Sequence, residues 1–201
     1  MSEQDFQPAT FAFTEANKAL AQAAIAKYPQ GRQRSAVMPL LDLAQRQEGW
    51  VSKAAMDHVA TMLSMPPIRV YEVATFYSMF QLKPVGEHHV QVCTNLPCWL
   101  RGSDEVAHAC KKTLGVDFGE TTADGRFTLS EVECLGACVN APMMQIGDDY
   151  YEDLDAESVA RILDTIKRGE RPKPGPQIDR QFSAPVGGPT TLGDIESKGK
   201  Q

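Results

Sequence analysis

Cysteine is the residue type in this chain best suited to chemistry, and four of its five copies fall in two local pairs. Cys93 and Cys98 are separated by four residues and Cys134 and Cys138 by three, with 35 residues between the pairs. Each pair is placed in a loop just after an expected strand. A binuclear iron–sulfur cluster needs four thiolates, two on each tetrahedral iron, with sulfides bridging the metals. A loop of three or four residues lets one pair grip one iron. A structural zinc site accepts two pairs at similar spacings, and structural disulfides are the alternative in an oxidising compartment. A thioredoxin-type dithiol fits worse, because that motif has two residues between its cysteines. The spacing points to metal and leaves iron and zinc both open.

The residues between the thiols sharpen the reading. In Cys134-Leu135-Gly136-Ala137-Cys138 the small side chains let backbone N–H groups approach sulfur, where they stabilise added negative charge. The same residues also suit an ordinary tight turn. Cys98 is expected at the N-terminus of a helix, where the helix dipole favours a thiolate. Cys110 falls in mid-helix and reads as a buried structural cysteine. His58, His88, His89 and His108 share no ligand spacing with the cysteines and read as surface or strand-edge residues. Neither a G-x-G-x-x-G turn after a strand nor a G-x-x-x-x-G-K-[ST] loop is present. A redox group without a dinucleotide or flavin site of its own implies a protein partner that has one.

The chain must then position these thiols. Its 201 residues and 42% hydrophobic content allow one large or two small domains with real cores. The net charge of −6 is spread along the chain, with no Lys/Arg block to suggest nucleic acid or an anionic membrane. No apolar run approaches the roughly 20 residues that cross a bilayer. The start, Met1-Ser2-Glu3-Gln4-Asp5-Phe6, resembles neither a secretory signal nor a transit peptide, so a cytosol-like compartment is expected.

Residues 11–80 carry a helical period. Thr14 is the expected cap of a first helix with Leu20, Ala24 and Tyr28 on its apolar side, and Ser35 of a second with Val37, Leu40, Leu41 and Ala44 inward. Gly49 is its stop. Ser52 opens a third helix with Met56, Val59 and Leu63 on one face. Pro66-Pro67 launches a fourth with Val70, Val73, Ala74 and Tyr77 facing in. Residues 1–82 thus read as a four-helix bundle. From Gly86 the period changes: a strand at 88–92, a helix from about Cys98 to Leu114, a strand at 127–132, a hairpin through Gly147-Asp148-Asp149, and a helix capped by Asp155. Residues 86–170 read as an α/β domain with a mixed sheet. Residues 171–201 are rich in Pro and Gly without period, which predicts an extended tail, disordered or ordered by a partner.

The segments 70–77 (VYEVATFY), 90–98 (VQVCTNLPC) and 133–142 (ECLGACVNAP) together closely resemble the 24 kDa, or E-type, subunits of respiratory Complex I, the bacterial NADH:quinone oxidoreductase. The resemblance runs from about residue 11 into the tail and keeps the order of all segments. It implies an α+β chain whose second domain is a thioredoxin-like ferredoxin, and one [2Fe–2S] cluster on Cys93, Cys98, Cys134 and Cys138. It also implies an electron-transfer role without catalytic residues of its own. The implied partners are a flavoprotein subunit that binds NADH and FMN and the adjacent large iron–sulfur subunit, with no nucleic acid and no direct membrane insertion. The implied location is cytoplasmic and peripheral on the inner face of the plasma membrane, or the matrix side for a processed mitochondrial chain. The similar small diaphorase subunits of NAD-reducing hydrogenases and NAD-dependent formate dehydrogenases are the runner-up. A zinc interaction module is the reading from outside redox chemistry.

Overall fold

A computed structural model describes residues 7–188. The expectations for residues 1–6, and for the tail beyond Gly188, lie outside the described residues. The chain divides into two compact units between Val85 and Gly86.

The first unit holds α1 (Glu15–Ala26), α2 (Val37–Glu48), α3 (Lys53–Met62) and α4 (Pro67–Phe76). Thr14 caps α1 by accepting from the Asn17 N–H, and Ser52 caps α3 by accepting from the Ala55 N–H. Gly49 ends α2 at φ +81°, a conformation that suits a residue without Cβ. Val37, Leu40, Leu41 and Ala44 of α2 are buried with Met56, Val59, Leu63, Val70 and Ala74 in one core.

Three details differ from the sequence expectation. Ser35 does not cap α2; it lies in a 3-10 turn, Gln33–Ala36, that runs straight into the helix, so no side chain caps that end. Leu20 is exposed, and Ala21 is the fully buried residue of α1. A small residue there permits close approach of α2, the neighbour of α1. Tyr77 follows the end of α4 in extended conformation and is exposed, because the helical phase that would turn it inward stops at Phe76.

The second unit is α+β, with a five-stranded mixed sheet in the order β2-β1-β3-β4-β5. β1 (His88–Cys93) lies parallel to β2 (Phe127–Val132), with Cys93 opposite Val132. On its other side β1 pairs antiparallel with β3 (Met144–Ile146), which forms the hairpin with β4 (Asp149–Glu152). Where one helix was expected between β1 and β2 there are two, α5 (Leu96–Leu100) and α6 (Ser103–Leu114). Gly102 at φ +95° breaks them apart. α6 packs beside α7 (Ala156–Lys167). α7 is opened by a reciprocal cap in which the Asp155 carboxylate accepts from the Ser158 N–H and the Ser158 hydroxyl from the Asp155 N–H. Val90, Val92, Val106, Cys110, Phe127, Leu129, Val159, Ile162 and Leu163 form the core.

The fifth strand, Gly175–Pro176, comes from the stretch expected to be a tail; it pairs parallel with β4. Arg171 forks onto the Asp149 carboxylate at 3.0 and 3.1 Å, and the Gln177 N–H donates to the Glu152 carbonyl at 2.9 Å. The chain as far as Phe182 is therefore bonded to its own domain.

Gly86 sets the entry to β1. Its N–H donates to the Thr128 hydroxyl at 2.6 Å, and a Cβ there would stand 2.9 Å from the backbone of Arg126 and Phe127. Backbone cannot swing aside as a flexible side chain can. Gly86→Ala is expected to destabilise the second domain by about 1–3 kcal/mol, read as a lower denaturant midpoint. An unchanged midpoint would mean that this approach is looser than described.

Candidate metal centre

The parallel register of β1 and β2 brings both cysteine loops to the same end of the sheet. Cys93 is the last residue of β1, and Cys134 comes two residues after β2. The loops are tied to each other: the Thr94 hydroxyl donates to the Glu131 carboxylate at 2.6 Å, and the Asn95 amide donates to the Glu133 carboxylate at 2.5 Å. Asn95 also caps α5, the single turn that carries Cys98, by accepting from the Leu96 N–H. Cys98 thus sits in the middle of α5 rather than at the start of a long helix.

All five thiols are free. The four of interest form two pairs with different surroundings. Cys93 and Cys98 are buried, in an apolar cluster with Ala141 and Met143 that Leu135, Ala137 and Tyr150 partly cover. Cys134 and Cys138 are exposed, with their sulfurs 3.3 Å apart. Burial, together with the shared hydrogen bond to Cys93, pushes the Cys98 thiol up to about 12, although the Met143 N–H on its sulfur acts in the opposite direction. The Cys138 thiol is raised chiefly by its hydrogen bond with Cys134, and the charge of Cys93 also reaches it. Leu135 and Ala137, which lie between Cys134 and Cys138, pack against the cluster that holds Cys93 and Cys98, so the two pairs are neighbours. Among the described residues, no group of three or more His, Cys, Asp or Glu is gathered on one point for a metal ion. Two thiol pairs supply the four ligands that either a binuclear iron–sulfur group or a tetrahedral zinc requires.

Residues outside the sequence expectation hold this geometry. The Tyr150 hydroxyl donates to the Leu135 carbonyl inside the Cys134 loop at 2.8 Å. Burial raises the phenol, and the Cys134 and Cys93 charges add to the effect. Asn140 ends the 3-10 turn Cys138–Asn140 and is buried. Around the loops stand exposed apolar side chains: Leu96, Trp99 and Leu100 of α5, and Val139 beside Cys138. Their exposure has no periodic signature, since each is set by a loop or by a one-turn helix.

The remaining candidates stay apart. Cys110 is fully buried in the core, which lifts its thiol to about 12. His89 bonds the Ser130 hydroxyl at 2.8 Å, and burial lowers it. His58 packs edge-on against Phe11 and Phe13 in the helical unit. A cavity of about 600 Å³ beside α6 and α7 is lined by residues that include Asp104, His108, Ala109 and Ala156 and by no cysteine.

A mixed sheet with two thiol pairs just after neighbouring parallel strands has the donors that a small iron–sulfur electron-transfer protein needs. The chain belongs to the thioredoxin-like [2Fe–2S] ferredoxin family, which it matches over residues 21–167. It holds one [2Fe–2S] cluster as members of that family do. It is 59% identical over 158 residues to the E chain of NADH-quinone oxidoreductase from Rickettsia conorii, covering 78% of this chain and 95% of that one. It is 58% identical over 156 residues to the corresponding chain of Rickettsia typhi, covering 77% and 92%. Its fold is shared with part of an NAD+-reducing [NiFe]-hydrogenase, with a TM-score of 0.56 and 22% identity over 64% of this chain and 22% of the other.

Exposure predicts how the cluster-free protein reacts, even though the Cys138 thiol is itself raised by its bond with Cys134. At pH 8, iodoacetamide should label Cys134 and Cys138 well before Cys93, Cys98 and Cys110, read by peptide mass spectrometry. An ordinary thiol titrates near 9.0, whereas Cys98 and Cys110 are held protonated to about 12. Their labelling should therefore rise only as the pH climbs through that interval or the fold opens. Equal labelling of all five at pH 8 would contradict the described burial.

Proposed function

We propose that Cys93, Cys98, Cys134 and Cys138 hold the cluster and that the chain is the electron-transfer subunit of an NADH-oxidising module of NADH:quinone oxidoreductase. The observation that carries this reading is the meeting of two thiol pairs, one buried and one exposed, at one end of β1 and β2. When bound, the cluster supplies a one-electron redox centre. The buried pair, with Ala141 and Met143, excludes water from one side, while the exposed pair faces outward. Leu96, Trp99, Leu100 and Val139 offer apolar surface beside the loops, as a protein partner's docking site does.

The partners that fit are an NADH- and FMN-binding flavoprotein subunit and a large iron–sulfur subunit next to it. Among the described residues no helix is long and apolar enough to cross a membrane, so membrane association would be peripheral, through the other subunits. The hydrogenase-type diaphorase subunit is the second reading, favoured by the shared fold, and identification of the subunits that copurify separates the two. Iron and sulfide content, with absorption in the visible, separates both from a colourless zinc module.

Cys→Ser at position 93, 98, 134 or 138 should lose or badly disturb the cluster, because one metal then lacks a thiolate. Cys110→Ser should keep it, since that thiol lies in the core. Iron and sulfide analysis with EPR of the reduced protein checks both. An unaltered cluster in Cys134→Ser, or none in Cys110→Ser, would overturn the assignment.

Hydride transfer delivers two electrons at once, so a group able to take two and release them singly has to lie on another subunit. The purified chain should therefore not be bleached by NADH in stopped-flow absorbance, and adding the copurified flavoprotein should allow its reduction. Bleaching at a catalytic rate by NADH alone would refute the dependent role.

A further inference from the structure

The C-terminal segment reaches back to the turn that carries Cys138. Arg180 and Asp153 form an ion pair with both side chains only 5% exposed, at 3.1 Å. The same guanidinium nitrogen, Nη1, donates to the Asn140 side-chain oxygen at 2.7 Å and to the Val139 carbonyl at 3.3 Å. Asn140 is itself buried, and its amide nitrogen donates to the Glu152 carboxylate at 2.6 Å and to the Phe182 carbonyl at 3.1 Å. The backbone repeats the link: the Asp153 N–H donates to the Asn140 carbonyl at 2.7 Å, and the Leu154 N–H to the Pro142 carbonyl at 3.0 Å. The turn has two backbone bonds of its own, Asn140 N to Ala137 O at 3.0 Å and Ala141 N to Cys138 O at 3.4 Å. A single turn with an exposed thiol is thus also held from outside, by the residues that follow β4 and by the tail.

We propose that Arg180 is a positioning residue for the metal centre: through Val139 and Asn140 it fixes the Cys138 turn, and its pairing with Asp153 sets the local charge that the centre meets. A buried polar network of this kind is costly unless every member is partnered. Arg180 Nε is buried without a partner, so the guanidinium is placed for its Nη1 contacts at the expense of another donor. Breaking the pair exposes one charge or the other. Arg180→Gln leaves Asp153 unpaired beside Glu152, which disfavours the extra negative charge of the reduced state. Asp153→Asn leaves Arg180 unpaired, which favours it.

The effect on the centre rests on Cys138 being a ligand, and the test keeps the two ideas apart. Full-length Arg180→Gln, Asp153→Asn and the double variant are titrated potentiometrically with EPR detection. In parallel, amide hydrogen exchange of residues 138–141 is measured on cluster-free protein. The midpoint potential should fall in Arg180→Gln, rise in Asp153→Asn and return towards that of the unmodified chain in the double variant. Exchange protection of the turn should drop by about tenfold in Arg180→Gln, the scale of one lost hydrogen bond. A purely structural role would move both single variants the same way. Shifts of one sign, or none with unchanged exchange, overturn the proposal. If Arg180→Gln does not fold, Arg180→Lys replaces it. A potential near that of the unmodified chain in Arg180→Lys, with a rise in Asp153→Asn, then supports the proposal, and no shift in Asp153→Asn overturns it. An undisturbed cluster in Cys138→Ser would remove the ligand reading, and the exchange measurement on cluster-free protein would still decide whether Arg180 holds the turn.

Discussion

Two thiol pairs 35 residues apart can serve one site only if the strands before them run side by side in the same direction. The parallel pairing of β1 with β2 meets that condition, and much of the second domain follows from it. Parallel neighbours need a crossover long enough to return the chain to the starting edge. Here α5 and α6 supply it, and α5 uses its one turn to present Cys98. The register then places Cys93 opposite Val132, so the two loops leave the sheet at one level. Thr94 with Glu131 and Asn95 with Glu133 tie them across the gap. A slip of one residue would send Cys93 to the other face of the sheet.

The pairs differ in environment because one strand is central and the other lies at the edge. β1 has neighbours on both sides, and the hairpin strand β3 brings Met143 against the Cys93 loop, where its carbonyl accepts from the Cys93 N–H at 3.3 Å. β2 is the edge strand, and the segment 119–122 that bonds its outer side does so only at Phe127, Thr128 and Leu129, so the loop after it opens to solvent. Burying thiolates on one side raises the cost of charge there. A cluster held by these four thiols, as proposed, would have one dry half and one half that a second protein could approach.

The periodic parts of this architecture were legible because their causes are local. Val37, Leu40, Leu41 and Ala44, or Val159, Ile162, Leu163 and Ile166, declare a buried face by spacing alone, and Asp155 declares its helix start by a side chain that bonds three residues on. The two cysteine pairs stood out in the sequence because few chemistries want thiols at those spacings, although spacing alone left iron and zinc both open. Ser35 and Tyr77 misled for the opposite reason: a 3-10 turn and an early helix end are settled by packing, which periodicity does not record. The split at Gly102 is intermediate, since a glycine in a helical pattern marks a permitted break without stating that the break occurs.

Residues 171–182 illustrate the limit more sharply. Their Pro and Gly content argues against a core, and indeed they contribute almost no apolar burial. They are anchored instead by Arg171 on Asp149, by two residues of strand pairing and by Arg180 among Asp153, Asn140 and Val139. Hydropathy is blind to such anchoring, because each partner lies 22 to 41 residues away in the chain. A buried ion pair is also a poor way to gain net stability, since desolvation offsets most of the attraction. What it supplies is direction: a guanidinium whose partners all sit at the end of β4 and on one turn admits a single register for the segment that carries it. A Pro- and Gly-rich stretch with almost no apolar burial is thus bonded at the point where it meets the turn bearing Cys138.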